Sequence, residues 1–373
     1  MKVLLKTLLL PLLLSVALVT AGSARGDATS MAVTMPMAVT KPIEVRVVVV
    51  TMFEVGKDSG DQAGEFQLWH ERQKLDQRFP FAHHHDLYFN PSTGVLGMVT
   101  GIGTAKSASA VMELGMDSRF DLSHAYWLVA GIAGFDPHDA SIGSAAWAEY
   151  LVDADLAYEI DAREIPKGWS TGYFARGTKK PYDPAKPEPT GEMFQLNPKM
   201  TEWAYELTRN VELPDSPILQ KRRALYTNFP NARKPPFVLK GDNLAGMTYW
   251  HGRLLNDWGN RWVKYWTNGK GNFVSSAMED TGTYQSLIYL DRAGKVDKNR
   301  VMVLRTASNY TMPPPGVTAV ADLLQDHDGY AGLDASVEAA YRVGSKVVNE
   351  LSGHWDVYRD KTPAELPVTQ KQE

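Results

Sequence analysis

Short apolar runs recur along the chain, and each breaks into small or polar residues at its carboxyl end. Val45 and Val47 to Val50 lead into Met52-Phe53-Glu54, and Val95 to Thr100 leads into Gly101-Ile102-Gly103-Thr104. Tyr126 to Val129 leads into Ala130-Gly131-Ile132-Ala133-Gly134, and Val301 to Leu304 into Arg305-Thr306-Ala307-Ser308-Asn309. Continuous apolar runs of this length predict strands buried on both faces. Ile142 to Tyr150 and the residues after it read as one or two further strands. Phe237 to Lys240 reads as a short strand before a polar Gly241-Asp242-Asn243. Between the runs, apolar residues recur at helical spacing. They predict helices over Ala105 to Leu114, Pro198 to Val211, Leu254 to Trp266, the stretch carrying Tyr284, Leu287, Ile288 and Leu290, and Ala335 to Leu351. Phe66 to Phe79 reads as a polar surface helix. Alternating strands and helices predict an α/β fold. Such sheets bind ligands at the carboxyl ends of their strands, which gathers the candidate chemistry at Glu54, the Gly101 and Gly131 turns, Met278-Glu279 and Ser308-Asn309.

Each candidate also has a structural reading. Glu279 beside the thioether of Met278 suits a sugar, with hydroxyls on one side and a carbon face on the other. Equally, an acid is favoured at a helix start by the dipole. Tyr249 and Trp250 can stack on a planar ligand or pack under the following helix. The glycines at 101 and 103 permit close backbone approach to a ligand, but the third glycine and the acid of a dinucleotide site are missing. His83-His84-His85-Asp86 does not form a metal site on this reading. Neighbouring residues of a strand point to opposite faces, so a solvated turn, or one His reaching a ligand, fits better. No metal or other cofactor is expected.

Lys2 and Lys6 flank the start of an apolar run, Leu8 to Val19, which Ala21-Gly22-Ser23-Ala24 follows. This is the pattern of a secretory signal peptide over residues 1–24, with an uncleaved anchor as the alternative. Secretion to a periplasmic or extracellular space follows. No later stretch is apolar for long enough to span a membrane. Residues 25–42 read as a flexible leader and 43–373 as the folded domain, carrying an insertion at about 165–236 that is rich in Gly, Pro and basic residues. The chain has 373 residues, 44% hydrophobic, with a net charge of −4 and no cysteine. That composition excludes disulfides and thiolate sites and offers no basic stripe for nucleic acid.

The order of these motifs resembles the purine nucleoside phosphorylase and nucleosidase superfamily and, more closely, the purine nucleoside permease (NUP) family. The stretches that carry the likeness are Thr51-Met52-Phe53-Glu54-Val55, Ala130-Gly131-Ile132-Ala133-Gly134, Asp161-Ala162-Arg163-Glu164, Tyr249-Trp250 and Arg305-Thr306-Ala307-Ser308-Asn309. The resemblance implies a three-layer α/β/α fold with a mixed, partly closed sheet, a purine nucleoside as partner, and assembly into homo-oligomers. It implies ribose contacts from Met278, Glu279 and Thr100, base contacts from Tyr249, Trp250 and Asn309, and a backbone rim at Gly101, Gly103, Gly131, Ala133 and Gly134. Asn309 would touch purine N7. An amide cannot donate an acid proton, so Asn309 points to 6-oxopurines or weakened catalysis.

Two positions bear on the nucleophile. Where bacterial phosphorylases of the superfamily carry an Arg and a Ser, this chain has Val129 and Ile132. An apolar pair cannot bind a dianion. Glu54 falls where nucleosidases keep the carboxylate that activates water, and water needs a base where phosphate does not. Hydrolysis of the N-glycosidic bond is therefore favoured over phosphorolysis, with Glu54 and Asn309 as catalytic residues and Lys57, Lys106 or Arg305 as the remaining sources of a phosphate site. The other class is a secreted, non-catalytic binding protein that hands nucleosides to a separate transporter. The enzyme reading requires Glu54 and Glu279 to meet over one hollow.

Overall fold

Four strands without an exposed residue form the centre of the molecule: β1 (Val47–Thr51), β2 (Val95–Val99), β3 (Tyr126–Phe135, with Ile132 and Gly134 partly open) and β8 (Val301–Tyr310). The computed structural model describes residues 41–327 and 332–366; the expected signal peptide and leader lie outside them, apart from Lys41 and Pro42. β3 pairs in parallel with β1 through its first half and with β8 along its whole length. β2 runs parallel to β1 on the outer side. Hairpin strands Leu87–Asn90 and Gln77–Phe79 finish that edge.

At its carboxyl end β3 also pairs, antiparallel, with β7 (Phe273–Ala277). From β7 the sheet continues through β6 (Asp242–Ala245) and β5 (Tyr150–Asp153) to Met193–Gln195. A second branch leaves β8 through β4 (Ala145–Ala148) to Val238–Lys240. Together these make a mixed sheet of 12 strands. The branches are joined by the chain at Glu149, between β4 and β5, and the sheet does not close into a barrel.

Helices cover both faces, which gives three layers. On one face, α3 (Leu333–Gly353) presses Val343, Val347, Val348 and Leu351 onto Leu128, Ala130, Met302 and Leu304. On the other, α1 (Thr104–Met116) and α2 (Asp280–Arg292) bury Val111, Leu114, Leu287 and Leu290 against Val129, Val301 and Val303. Each such aliphatic side chain contributes about 1.5–3 kcal/mol, so the sheet is rigid where the site lies. Among the described residues no helix is long and apolar enough to cross a membrane.

Three expectations are corrected. Phe66 to Phe79 is not one surface helix. Only Gln67–Arg72 is helical; Trp69 and Leu75 are buried, and Gln77–Phe79 is the edge strand. The polar residues that suggested exposure have partners inside: Gln73 Nε2 donates to Asn349 Oδ1 at 3.1 Å. Asp242 and Asn243, read only as a polar stretch after a strand, begin a buried strand of their own. The Asp242 carboxylate accepts from the backbone of Glu149, Tyr150 and Asn272, and burial pushes its pKa up to about 6. Finally, the small residues after Val129 and Leu304 lie inside strands, because β3 and β8 stay paired to Phe135 and Tyr310. Within 165–236, Met193–Gln195 joins the main sheet, and the helix Pro198–Thr208 packs Met200 and Ala204 into the α3 side of the core.

Candidate functional site

A cavity of about 840 Å³ opens where β1, β3, β7 and β8 converge. Met52, Glu65, Ile132, Ala133, Gly134, Ser276, Met278, Glu279, Arg305, Ser308 and Asn309 line it from the sheet side. Phe53, Ile102, Ile218, Tyr249 and Leu333 line it from loops and helices. The sheet register sets its long axis. Arg305 lies opposite Gly131 and Asn309 opposite Gly134, four residues and ~13 Å apart along β8, on the scale of a nucleoside. The register slips between Ala307 and Asn309. One residue is thus added to β8 without a partner, and both Ser308 and Asn309 line the cavity.

One end is charged. The Arg305 guanidinium is 1% exposed. Its Nη2 bonds Glu279 Oε2 at 3.0 Å and Asp280 Oδ1 at 3.0 Å, its Nε bonds both Asp280 oxygens, and its Nη1 donates to the carbonyl of Ile132 at 3.1 Å. Glu279 also accepts from the backbone N–H of Gly103 at 3.0 Å and of Met278 at 3.2 Å. Three donors on two oxygens leave one acceptor site for a hydroxyl. Glu65 completes the group and accepts from Met52 N and Ile132 N, each at 2.7 Å. Burial drives the Glu65 pKa up to about 8, against the pull of Arg305 and with the help of Glu279. Burial also raises Glu279, while Arg305 holds it back. Arg305 itself, though desolvated, is held protonated above its usual range by Asp280 and Glu279.

The raised Glu65 pKa makes stability depend on pH. Between its ordinary 4.5 and about 8 the folded state holds a proton that the unfolded state has released. Stability from this group is therefore full below pH 4.5 and is lost as pH rises to about 8. Thermal melts from pH 5 to 9 should show wild type losing stability relative to Glu65→Gln; parallel curves would rule this out.

The other end is uncharged. Asn309 Oδ1 accepts from Ser308 Oγ at 2.9 Å, and Nδ2 donates to the carbonyl of Tyr310 at 3.1 Å. These bonds fix which way the amide lies and leave one N–H of Nδ2 for a ligand.

Met278, Glu279, Asn309, Tyr249, Ala133 and Gly134 thus line one cavity. Gly103 supports it through Glu279, and Gly131 sits at its floor. A Cβ at 131 would lie 2.0 Å from the Met52 methyl, 2.6 Å from Arg305 Nη1 and 2.7 Å from Glu65 Oε1, so any other residue must displace these side chains.

Glu54 is not part of the cavity and does not meet Glu279 over it, so the enzyme reading in its Glu54 form fails; the acid that shares the cavity with Glu279 is Glu65. The Glu54 carboxylate accepts from the backbone N–H groups of Val55, Gly64, Phe66 and Gln67 and clasps the loop between them. All its acceptor sites are taken, so it cannot activate water. Thr100 donates to the carbonyl of Gly101, and both line a separate cleft with His83, His84, His85 and Lys106. Trp250 packs against Trp258 and Phe273, because the backbone alternates: Tyr249 faces the cavity and Trp250 the core. Val129 is buried under α1 and α2; Lys57 and Lys106 are not cavity residues. Among the described residues no group of three or more His, Cys, Asp or Glu is placed to hold a metal ion.

Glu65 and Asp280 were missed. The signal for Glu65 was an acid set directly before the apolar Phe66, Leu68 and Trp69; for Asp280 it was a second acid beside Glu279 with one buried arginine to share.

The model of the purine nucleoside permease (NUP) family matches residues 44–363. The chain belongs to that family. The Candida albicans purine nucleoside permease is 30% identical over 329 residues, covering 86% of this chain and 77% of that protein. A probable purine nucleoside permease of Schizosaccharomyces pombe is 29% identical over 293 residues, covering 76% and 82%. Among solved structures, a Helicobacter pylori MTAN variant with 5′-methylthioadenosine in its active site covers 82% of this chain and 99% of its own, at 13% identity and a TM-score of 0.50. That likeness establishes the nucleosidase-like fold. This NUP chain keeps its buried carboxylates and its amide at opposite ends of one cavity on that fold.

Proposed function

We propose that the cavity binds a purine nucleoside and cleaves its N-glycosidic bond with water. The observation that carries this is the charge count at the sugar end. The carboxylates Glu279 and Asp280, with Glu65 beside them protonated until about pH 8, share one arginine, and four of its five N–H groups are engaged. Arg305 is the only basic residue lining the cavity among those described. A phosphate dianion would enter beside two carboxylates and meet one N–H of an arginine whose charge they already neutralise. Water carries no such cost.

In this reading Glu279 accepts a ribose hydroxyl and Met278 meets the sugar's carbon face. Glu65, once ionised, takes a proton from water as the oxygen bonds to C1′. The C1′–N9 pair leaves with the purine, and the remaining N–H of Asn309 steadies the charge that develops at N7. The acidic end favours the positive charge of an oxocarbenium-like transition state.

Incubation with inosine, with and without phosphate, tests the proposal. Hypoxanthine and free ribose should form at equal rates in both. Strict phosphate dependence with ribose 1-phosphate as product overturns hydrolysis. A second reading, capture without turnover for a separate transporter, draws on Asn309, which lacks an acid proton, and on the permease name of the relatives. It predicts stoichiometric nucleoside binding and no released base.

A further inference from the structure

The excursion from 212 to 236 reaches the cavity through one short helix, Pro217–Ala224. It is capped by Ser216, whose hydroxyl accepts from Leu219 N, and Pro217 pre-sets its first turn. Ile218 is the residue it places in the cavity, and it stays 55% exposed. A branched apolar side chain left in water at a cavity mouth costs free energy unless a ligand covers it.

The helix lies at the amide end. Leu219 is buried with Ile142 and Tyr310, the residue after Asn309. Tyr226 packs against Tyr310 with ring centres 4.0 Å apart and planes tilted by 43°, and donates to the carbonyl of Met312 at 2.9 Å. Tyr310 in turn donates to Ala232 O at 2.8 Å. Among the described residues no hydrogen bond or ring contact ties the helix to Glu65 or Glu279.

Its position is set by a buried ion cluster. Arg222 makes a two-pronged bond to Asp322 at 2.8 and 2.9 Å, and His251 Nε2 lies 3.0 Å from the same carboxylate. The side chains of Asp322 and His251 are each 1% exposed, and that of Arg222 9%. Asp322 belongs to the helix Ala319–His327. It therefore ties the helix Ala319–His327 to two segments that supply cavity residues: the excursion, through Ile218, and the loop that carries Tyr249. A bidentate arginine–carboxylate pair fixes direction as well as distance, so the cluster sets where Ile218 sits.

We propose that the helix Pro217–Ala224 is the base-recognition element of the cavity, with Ile218 covering the purine end and Asp322 as the positioning residue that holds it there. This rests on the nucleoside reading above.

Ile218→Asp should weaken binding of free hypoxanthine and of inosine by the same factor, tenfold or more, in calorimetric titrations. Loss for inosine alone would put the helix over the sugar, and no loss would remove its role; either overturns the inference. Asp322→Asn keeps the shape but halves the clamp. It should raise KM about tenfold with kcat changed less than threefold, whereas a lower melting temperature with unchanged KM marks a purely structural role and also overturns it. One measurement needs no substrate. The chain has no cysteine, so Ala133→Cys in the cavity wall gives a single thiol. Maleimide should label it at least fivefold faster when Asp322→Asn is added, and equal rates sink the positioning role. If wild type binds neither inosine nor hypoxanthine, the nucleoside reading fails, and the base-recognition role with it; the labelling rates still judge Asp322.

Discussion

Glu65→Gln is expected to abolish turnover of purine nucleosides, lowering kcat by about 10²–10⁴-fold, while inosine still binds. The amide keeps the size of the side chain but cannot accept a proton from water. In wild type, kcat/KM should rise with pH and level off above about 8, where the free carboxyl is ionised. Glu54→Gln is the paired control. Its carboxylate holds four backbone N–H groups and lies outside the cavity. Replacing one acceptor oxygen with a donor should lower stability by about 1–3 kcal/mol and leave kcat of the folded protein within a few-fold. If Glu54→Gln removes activity and Glu65→Gln does not, the assignment is reversed. The contrast separates two acids eleven residues apart by what surrounds each: one is saturated by amides, the other shares a cavity with Glu279 and Arg305.

Arg305→Met should give the largest loss of stability. It leaves Glu279 and Asp280, 4% and 0% exposed, buried without a counter-charge. Breaking one side of such a group costs about 3–5 kcal/mol. Urea denaturation near pH 7 would read this as a fall in the midpoint with an unchanged slope. Lowering the pH should restore part of the loss, because protonating the stranded carboxyls removes the unpaired charge. Adding Asp280→Leu should restore more, since it takes away the charge that Arg305 chiefly neutralises. A single-variant loss below about 1 kcal/mol would show that water reaches the cluster and that its charges are not confined. That result would also weaken the exclusion of phosphate, which depends on a dry, already satisfied arginine.

Of the three acids at the charged end, Asp280 and Glu279 bond Arg305 directly and hold different positions. Asp280 holds Arg305 in place, and Arg305 holds Glu279. Glu279 lines the cavity and Asp280 does not, so Asp280 can act on a ligand only through its neighbours. The apolar thioether of Met278 and the ring of Tyr249 complete walls that a sugar and a flat base can each meet on a carbon face.

The three layers came from the family resemblance; local pattern alone carried the α/β class, the identity of the central strands, and Met278, Glu279 and Asn309 as cavity residues. Those features are written in contiguous residues: an unbroken valine run can only be an interior strand, and helical spacing needs no distant partner to be seen. What contiguous residues cannot show is where a side chain's hydrogen bonds end. Glu54 looked free because its acceptors are filled by Gly64, Phe66 and Gln67, which fold back from the following loop; Glu65 looked ordinary until β3 and β8 brought Ile132 and Arg305 against it. Trp250 went to the core and Tyr249 to the cavity by the alternation of one loop, and Asp242 became a strand residue because three backbone amides from other segments satisfy it. The tertiary structure decided these because burial and pairing are properties of what surrounds a group, and in this chain most of those surroundings come from elsewhere in the fold.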